Sequence, residues 1–288
     1  MDRGYSVPVG GWRGVRGVLA DHWPEYLIEG AALGLFMISA GLFTTLFEYP
    51  GSSVHQAIPD PIVRRILIGV AMGVTAICII YSPWGQRSGA HMNPAMTLTF
   101  WTLGKVKAHD ALFYMAAQFV GGAMGVLVVV ALLGDRFAAP PVQFAATMPG
   151  DAGSARAFAA EFAISAVLVF TVLWVSNTKR VARMTGLIAG ILVATYISFE
   201  APISGMSMNP ARSLASALPG ALWEHLWIYF IAPPAGMLTG AFVYRSLRTS
   251  SRIDCAKLDH APTQRCIHCG YVPALLAKAL RGRCKGDV

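Results

Sequence analysis

The stretch Ser88-Gly-Ala-His-Met-Asn-Pro-Ala-Met-Thr97 has a second copy, Ser204-Gly-Met-Ser-Met-Asn-Pro-Ala-Arg-Ser213, with six of the ten positions identical. Each copy lies in an apolar segment too short to cross a bilayer, residues 92–104 and residues 201–211 with their continuation to 226. A bilayer core about 30 Å thick needs about 20 apolar residues in helical form. Working outward, six longer stretches are free or nearly free of Asp, Glu, Lys and Arg: 30–47, 66–86, 111–134, 162–178, 184–199 and 226–244. The fourth starts earlier, near Ala157, and carries Glu161 within it. The first copy follows the second stretch and the second copy follows the fifth. Each half is therefore three spans with a short segment between its second and third. Three is odd, so the halves enter the membrane from opposite sides, which is the inverted repeat of many transport proteins. A short segment at membrane depth is tolerated only where protein or a water-filled cavity satisfies its backbone. Glu29 and Glu161, in the first span of each half, extend the repeat.

Composition agrees. Of 288 residues, 55% are hydrophobic and 13% are charged, against about 25% charged in a soluble domain. The mean hydropathy is +0.53. Such a chain is neither an ordinary soluble enzyme nor a disordered protein. The net charge of +8 reflects membrane orientation rather than nucleic-acid binding. Placing both termini in the cytoplasm gathers Arg3, Arg13, Arg16, Arg87, Lys105, Lys107, Lys179, Arg180, Arg183 and every basic residue from Arg245 onward on one side, as the positive-inside rule requires. Arg64 and Arg65 go against it. No stretch reads as a cleavable signal peptide.

Proline at the first helical position costs no hydrogen bond, and asparagine before it is a good N-cap. Asn93-Pro94-Ala95 and Asn209-Pro210-Ala211 therefore each read as the start of a half-helix. The cap turns the asparagine NH2 outward. The inverted repeat brings both tips together near mid-membrane. Two N-terminal dipole ends, each about half a positive charge, then face one point. That point repels cations and offers donors to a neutral oxygen. Arg212, directly after the second motif, is a costly charge at membrane depth and hence a functional candidate.

These paired motifs resemble those of the aquaporin, or major intrinsic protein, family, over about residues 24–248. The resemblance implies an all-α membrane protein of six transmembrane helices and two re-entrant half-helices. It also implies a pore in each subunit of a homotetramer in the cell membrane, passive permeation of water or small neutral solutes, and no cofactor or enzymatic activity. By the same resemblance, Arg212, Met206 and Ile197 are filter residues. Met72 is the fourth, if Pro83-Trp84-Gly85 holds one extra residue; without that insertion Gly73 takes the place. Ile197 stands where water channels usually carry histidine and Met72 where they carry an aromatic, so the ring looks mostly apolar. That resembles the plant nodulin-type and vacuolar branches, as does the stretch 204–214. Ser213, Ala217, Tyr229 and Phe230 point instead to water. Family glutamates matching Glu29 and Glu161 hold the re-entrant loops. His91 reads as a loop-packing residue and Arg87 as a headgroup contact.

Two other readings stay open: a proton-coupled transporter using Glu29 or Glu161, and a non-conducting scaffold on the same fold. The chain divides into an N-terminal segment (1–23), a channel domain (24–248, halves 24–134 and 156–248) and a basic tail (249–288). The tail is expected to lie disordered on anionic lipid, with residues 274–283 as a short amphipathic helix. Its Cys255, Cys266, Cys269 and Cys284, with His260 near, are weak candidates for metal, and the spacing matches no strong zinc pattern.

Overall fold

A computed structural model describes residues 15–248, 253–261 and 263–273. Cys284 and the expected helix at 274–283 lie outside the described residues. Eight helices carry the architecture: α1 (Val15–Glu48), α2 (Pro61–Tyr81), α3 (Pro94–Thr102), α4 (Ala108–Leu133), α5 (Ser154–Ser176), α6 (Thr185–Phe199), α7 (Pro210–Ala217) and α8 (Leu226–Leu247). Among the described residues, six helices are long and apolar enough to cross a membrane. The two short ones, α3 and α7, are the half-helices that open on the Asn-Pro-Ala motifs.

Packing repeats the sequence symmetry. The first span of each half packs along its own third span, α1 on α4 and α5 on α8, and the second spans α2 and α6 pack across the repeat. Each half-helix leans on the third span of the opposite half, α3 on α8 and α7 on α4. Glycines let these backbones approach: a Cβ on Gly121 would stand 2.0 Å from the Gly30 carbonyl oxygen, and one on Gly240 would stand 2.2 Å from that of Ala166. Large apolar side chains cover the outside, including Leu27, Val70, Leu112, Val120 and Phe242. That surface suits lipid, where close packing of small residues replaces the hydrophobic drive between helices.

The boundaries differ from the sequence expectation in two places. Helix α1 begins well before residue 30. The charge-free stretch 30–47 leaves out Glu25, whose carboxylate is fully buried and ion-paired with Arg87 at 3.2 Å and Arg265 at 3.5 Å. Arg87 is thus a structural partner and not a headgroup contact. Helix α2 stops at Tyr81, short of residue 86. Ser82 donates to the Ile79 carbonyl at 2.7 Å, accepts from the Gly85 N–H at 3.0 Å, and starts a separate turn at Pro83.

Arg64 and Arg65, the two exceptions to the charge rule, also have partners. Arg64 is buried, donates to the Ile58 and Pro59 carbonyls at 2.9 and 2.8 Å, and pairs with Glu48 at 3.2 Å. Arg65 donates to the Ser198 carbonyl at 2.8 Å.

Candidate functional site

The motif asparagines cap as their sequence implies, and they also do more. Asn93 Oδ1 accepts the Ala95 N–H at 2.9 Å, and Asn209 Oδ1 accepts those of Ala211 and Arg212 at 3.0 and 3.2 Å. Each amide also donates across the repeat: Asn93 Nδ2 to the Met208 carbonyl and Asn209 Nδ2 to the Met92 carbonyl, both at 2.7 Å. An amide carries two N–H donors. One locks the opposite loop and the other is left for the cavity, so the expectation that the whole NH2 group faces outward is half fulfilled.

The loops hold an unusual backbone. Ala90, Met92, Met206 and Met208 have φ of 54, 49, 50 and 55°, with Gly89 and Gly205 at 112 and 79°. Left-handed conformations in four residues bearing a Cβ cost energy and persist only when their surroundings over-determine them. The buried glutamates do so. Glu29 accepts from Ser88 Oγ (2.7 Å), His91 N (3.0 Å), Met92 N (2.7 Å) and Gln118 Nε2 (2.8 Å). Glu161 accepts from Ser204 Oγ (2.8 Å), Ser207 N (2.7 Å) and Met208 N (2.7 Å). Both are fully buried. A carboxylate ringed by three or four donors is an anchor for backbone that would otherwise be unsatisfied.

Sequence reasoning missed the second layer of this support. Tyr114 donates to the Ser88 carbonyl at 2.8 Å, and Tyr229 to the Ser204 carbonyl. Both tyrosines are fully buried on the third span of their half. Aligning the halves beyond the ten-residue motif with a one-residue gap would have paired them. Gln118 has no counterpart among the hydrogen bonds of Glu161, and nothing in the sequence singled it out.

A cavity of about 490 Å³ runs between the two halves. Glu48, Pro61 and Arg65 line one end, and Ile80, Ala189 and Leu258 line the other, with Asn93 and Asn209 on the wall between. Met72, Ile197, Met206 and Arg212 all reach this wall. Gly73 does not: a Cβ there would stand 2.6 Å from the Gly190 carbonyl oxygen, at the α2–α6 contact. Arg212 Nη1 donates to the Ala145 carbonyl at 2.8 Å and to Ser216 Oγ at 3.1 Å. Its guanidinium is fixed from one side, and donors remain for the cavity. His91 lines the wall with Nε2 on the Ala256 carbonyl at 2.8 Å and Nδ1 beside Thr97 Oγ1 at 3.1 Å.

The residues that pointed to water lie off this cavity. Ser213 is buried against Thr147 and Ser207, Ala217 is buried in α7, Tyr229 supports the second loop, and Phe230 is exposed beside Phe119. Beyond the end of α6, Glu200 is buried, and that burial pushes its carboxyl up to about 7.

The described tail does not follow the lipid-surface expectation. Ile253, Ala256, Lys257 and Leu258 are buried. The Leu258 N–H donates to the Gly89 carbonyl at 3.2 Å, and Lys257 Nζ donates to the Gln86 carbonyl at 2.8 Å. Cys255, His260, Cys266 and Cys269 come together, with their ligand atoms all within 4.8 Å of one another.

The profile of the major intrinsic protein family matches residues 21–244. An Arabidopsis thaliana relative carrying the name aquaporin NIP4-1 is 37% identical over 186 residues, which is 64% of this chain and 64% of the relative. The aquaporin NIP2-3 of Zea mays is 36% identical over 250 residues, 86% of this chain and 78% of its own. The chain thus spans just under two thirds of the first of these and more of the second. The fold matches the X-ray structure of the aquaglyceroporin from Plasmodium falciparum with a TM-score of 0.64 at 18% identity, covering 83% of this chain and 100% of that one. The residues matched take in both Asn-Pro-Ala half-helices, and the chain belongs to the major intrinsic protein family.

Proposed function

We propose that the protein is a passive channel for water and small uncharged solutes, working as a homotetramer in the cell membrane with both termini in the cytoplasm. The observation that carries this reading is the reciprocal Asn93–Met208 and Asn209–Met92 pair on the wall of the cavity. Two half-helix N-termini face the same point, so a cation arriving there meets two positive dipole ends. A neutral oxygen meets the free amide donors. Toward Glu48 and Arg65, a solute passes Arg212 on one side and Met72, Ile197 and Met206 on the others. Apolar, adaptable walls cost a carbon-bearing solute little desolvation, so glycerol-sized solutes pass as well as water. Glu29 and Glu161 are used in holding the loops, which argues against a proton-coupled cycle through either of them.

Stopped-flow light scattering on proteoliposomes tests this, with water, glycerol, urea and ammonia in parallel. Flux should follow osmotic and solute gradients and ignore an imposed proton gradient. Uphill solute accumulation driven by protons would overturn the channel reading. So would the absence of any flux from a folded, reconstituted preparation.

A further inference from the structure

The cysteines of the tail fall outside everything the pore explains. Cys255 Sγ lies 3.4 Å from Cys266 Sγ, and His260 Nε2 lies 3.2 Å from Cys269 Sγ. Two thiolates held about 2.3 Å from a tetrahedral zinc ion stand about 3.8 Å apart, and a Cys3His set is an established ligand combination for it. The four ligand atoms, all within 4.8 Å of one another, already crowd to nearly that spacing. The turn that carries Cys266 and Cys269 is shaped for the purpose. Gly270, at φ 73°, turns the backbone so that its N–H returns to the Cys266 carbonyl at 3.1 Å, while the Cys266 N–H donates to the Tyr271 carbonyl at 2.8 Å. Both sulfurs of the Cys-x-x-Cys pair thereby face one centre. Sequence spacing had offered Cys284 as the fourth candidate; the fold supplies His260.

The other two ligands, Cys255 and His260, bracket Ala256, Lys257 and Leu258. This is the loop that meets the pore. The Ala256 carbonyl accepts from His91 Nε2, the Leu258 N–H donates to the Gly89 carbonyl, and the Leu258 side chain lines the pore cavity. We propose that Cys255, His260, Cys266 and Cys269 form a site for one zinc-class divalent ion, and that the bound ion staples the Cys255–His260 loop across the tail-side mouth of the pore, restricting permeation. The metal site stands on its own geometry, whereas the coupling to permeation rests on the channel reading. On the proposed cytoplasmic side the thiols stay reduced and available to metal. Without the ion, the loop loses the crosslink between its ends and the rest of the tail, and Leu258 is freed to leave the mouth.

Full-length protein in detergent should retain one zinc per chain through gel filtration. Cobalt(II) in its place should give the intense visible absorption of a tetrahedral thiolate site. Cys269→Ser and His260→Ala should each lose or shift that spectrum, while Cys78→Ser, outside the cluster, should leave it unchanged. In proteoliposomes, chelation of the metal should raise water permeability by a factor of roughly five or more. Leu258→Ala, which leaves all four ligands in place, should raise it in the zinc-loaded state and keep the cobalt spectrum. Failure to hold stoichiometric zinc, or a Cys255–Cys266 disulfide in protein that refuses metal, would overturn the site. Equal flux with and without zinc would overturn the coupling. Metal retention is read without any flux, so the failure of the site and the failure of the channel reading are separate results.

Discussion

Glu29 accepts the Met92 N–H at 2.7 Å, and in the other half Glu161 accepts the Met208 N–H at the same 2.7 Å. The two methionines so held are the ones whose carbonyls receive the opposite asparagines. Each glutamate therefore reaches the other half through one backbone residue: the carboxylate fixes the N–H, and the carbonyl of the same residue locks the facing loop.

Exchanging either carboxylate for an amide places an NH2 group against a backbone N–H. Charge-assisted hydrogen bonds contribute about 1.5–3 kcal/mol each, and at least one is lost. Glu29→Gln and Glu161→Gln should each lower the melting temperature in detergent by several degrees. Residual flux should stay indifferent to a proton gradient. Unchanged melting with flux altered only under a proton gradient would assign these residues to proton transfer instead.

On the proposed channel reading, the ring around Arg212 sets which solutes pass. Ile197→His combined with Met72→Phe adds bulk and polarity at the wall. Glycerol flux should drop about tenfold or more, equivalent to about 1.4 kcal/mol of added barrier, with a smaller drop for water. If the unaltered protein conducts water well and glycerol not at all, these walls do not set selectivity.

Arg212→Val removes a cation from the wall and strips the Ala145 carbonyl of its donor. Water flux should persist, because the asparagine tips remain. Proton or sodium leak, followed with a pH-sensitive dye or by conductance, should rise above that of the unaltered protein. A leak equal to the original would place the whole cation barrier at the half-helix tips.

Close helix approach makes one glycine far more sensitive than another. A Cβ on Gly121 meets the Gly30 backbone, whereas one on Gly104 has no neighbour within 4 Å, though φ there is 69°. Gly121→Val should force α1 from α4 and cost about 3 kcal/mol or more, seen as loss of folded yield. Gly104→Ala should cost only about 1 kcal/mol of backbone strain. Similar yields for the two variants would contradict the packing.

Glu200 gives the fold a pH dependence. Burial raises its carboxyl to about 7, against about 4.3 for a free glutamate. Between those values the folded chain keeps a proton that the unfolded chain has released. Stability is full below the lower value, declines as pH rises through about 7, and then levels off. Melting temperature should fall between pH 5 and 8, and Glu200→Gln should flatten that profile. An unchanged slope in the variant would show that another group titrates.

The architecture and the two asparagine caps are legible in the residues alone. Hydropathy locates six spans because lipid gives an unpaired backbone no partner, and a duplicated ten-residue motif at matching places in the two halves dictates their inversion. The asparagine caps and the Arg212 position follow from local chemistry at residues adjacent in the chain. The rest depends on groups far apart in sequence that the fold brings together. Glu25 is inside a helix because Arg87 and Arg265 come to it from elsewhere. Met72 rather than Gly73 faces the cavity because helix α2 packs its glycine on α6. The loop-supporting roles of Tyr114, Tyr229 and Gln118 carry no local signal, since a buried polar side chain is defined by the partner the fold brings. The tail illustrates this most fully. Its composition reads as a solvated basic segment, but Ile253, Ala256 and Leu258 join the buried core and Lys257 lies among backbone carbonyls, which docks the tail onto the cavity end through contacts spanning more than a hundred residues of chain.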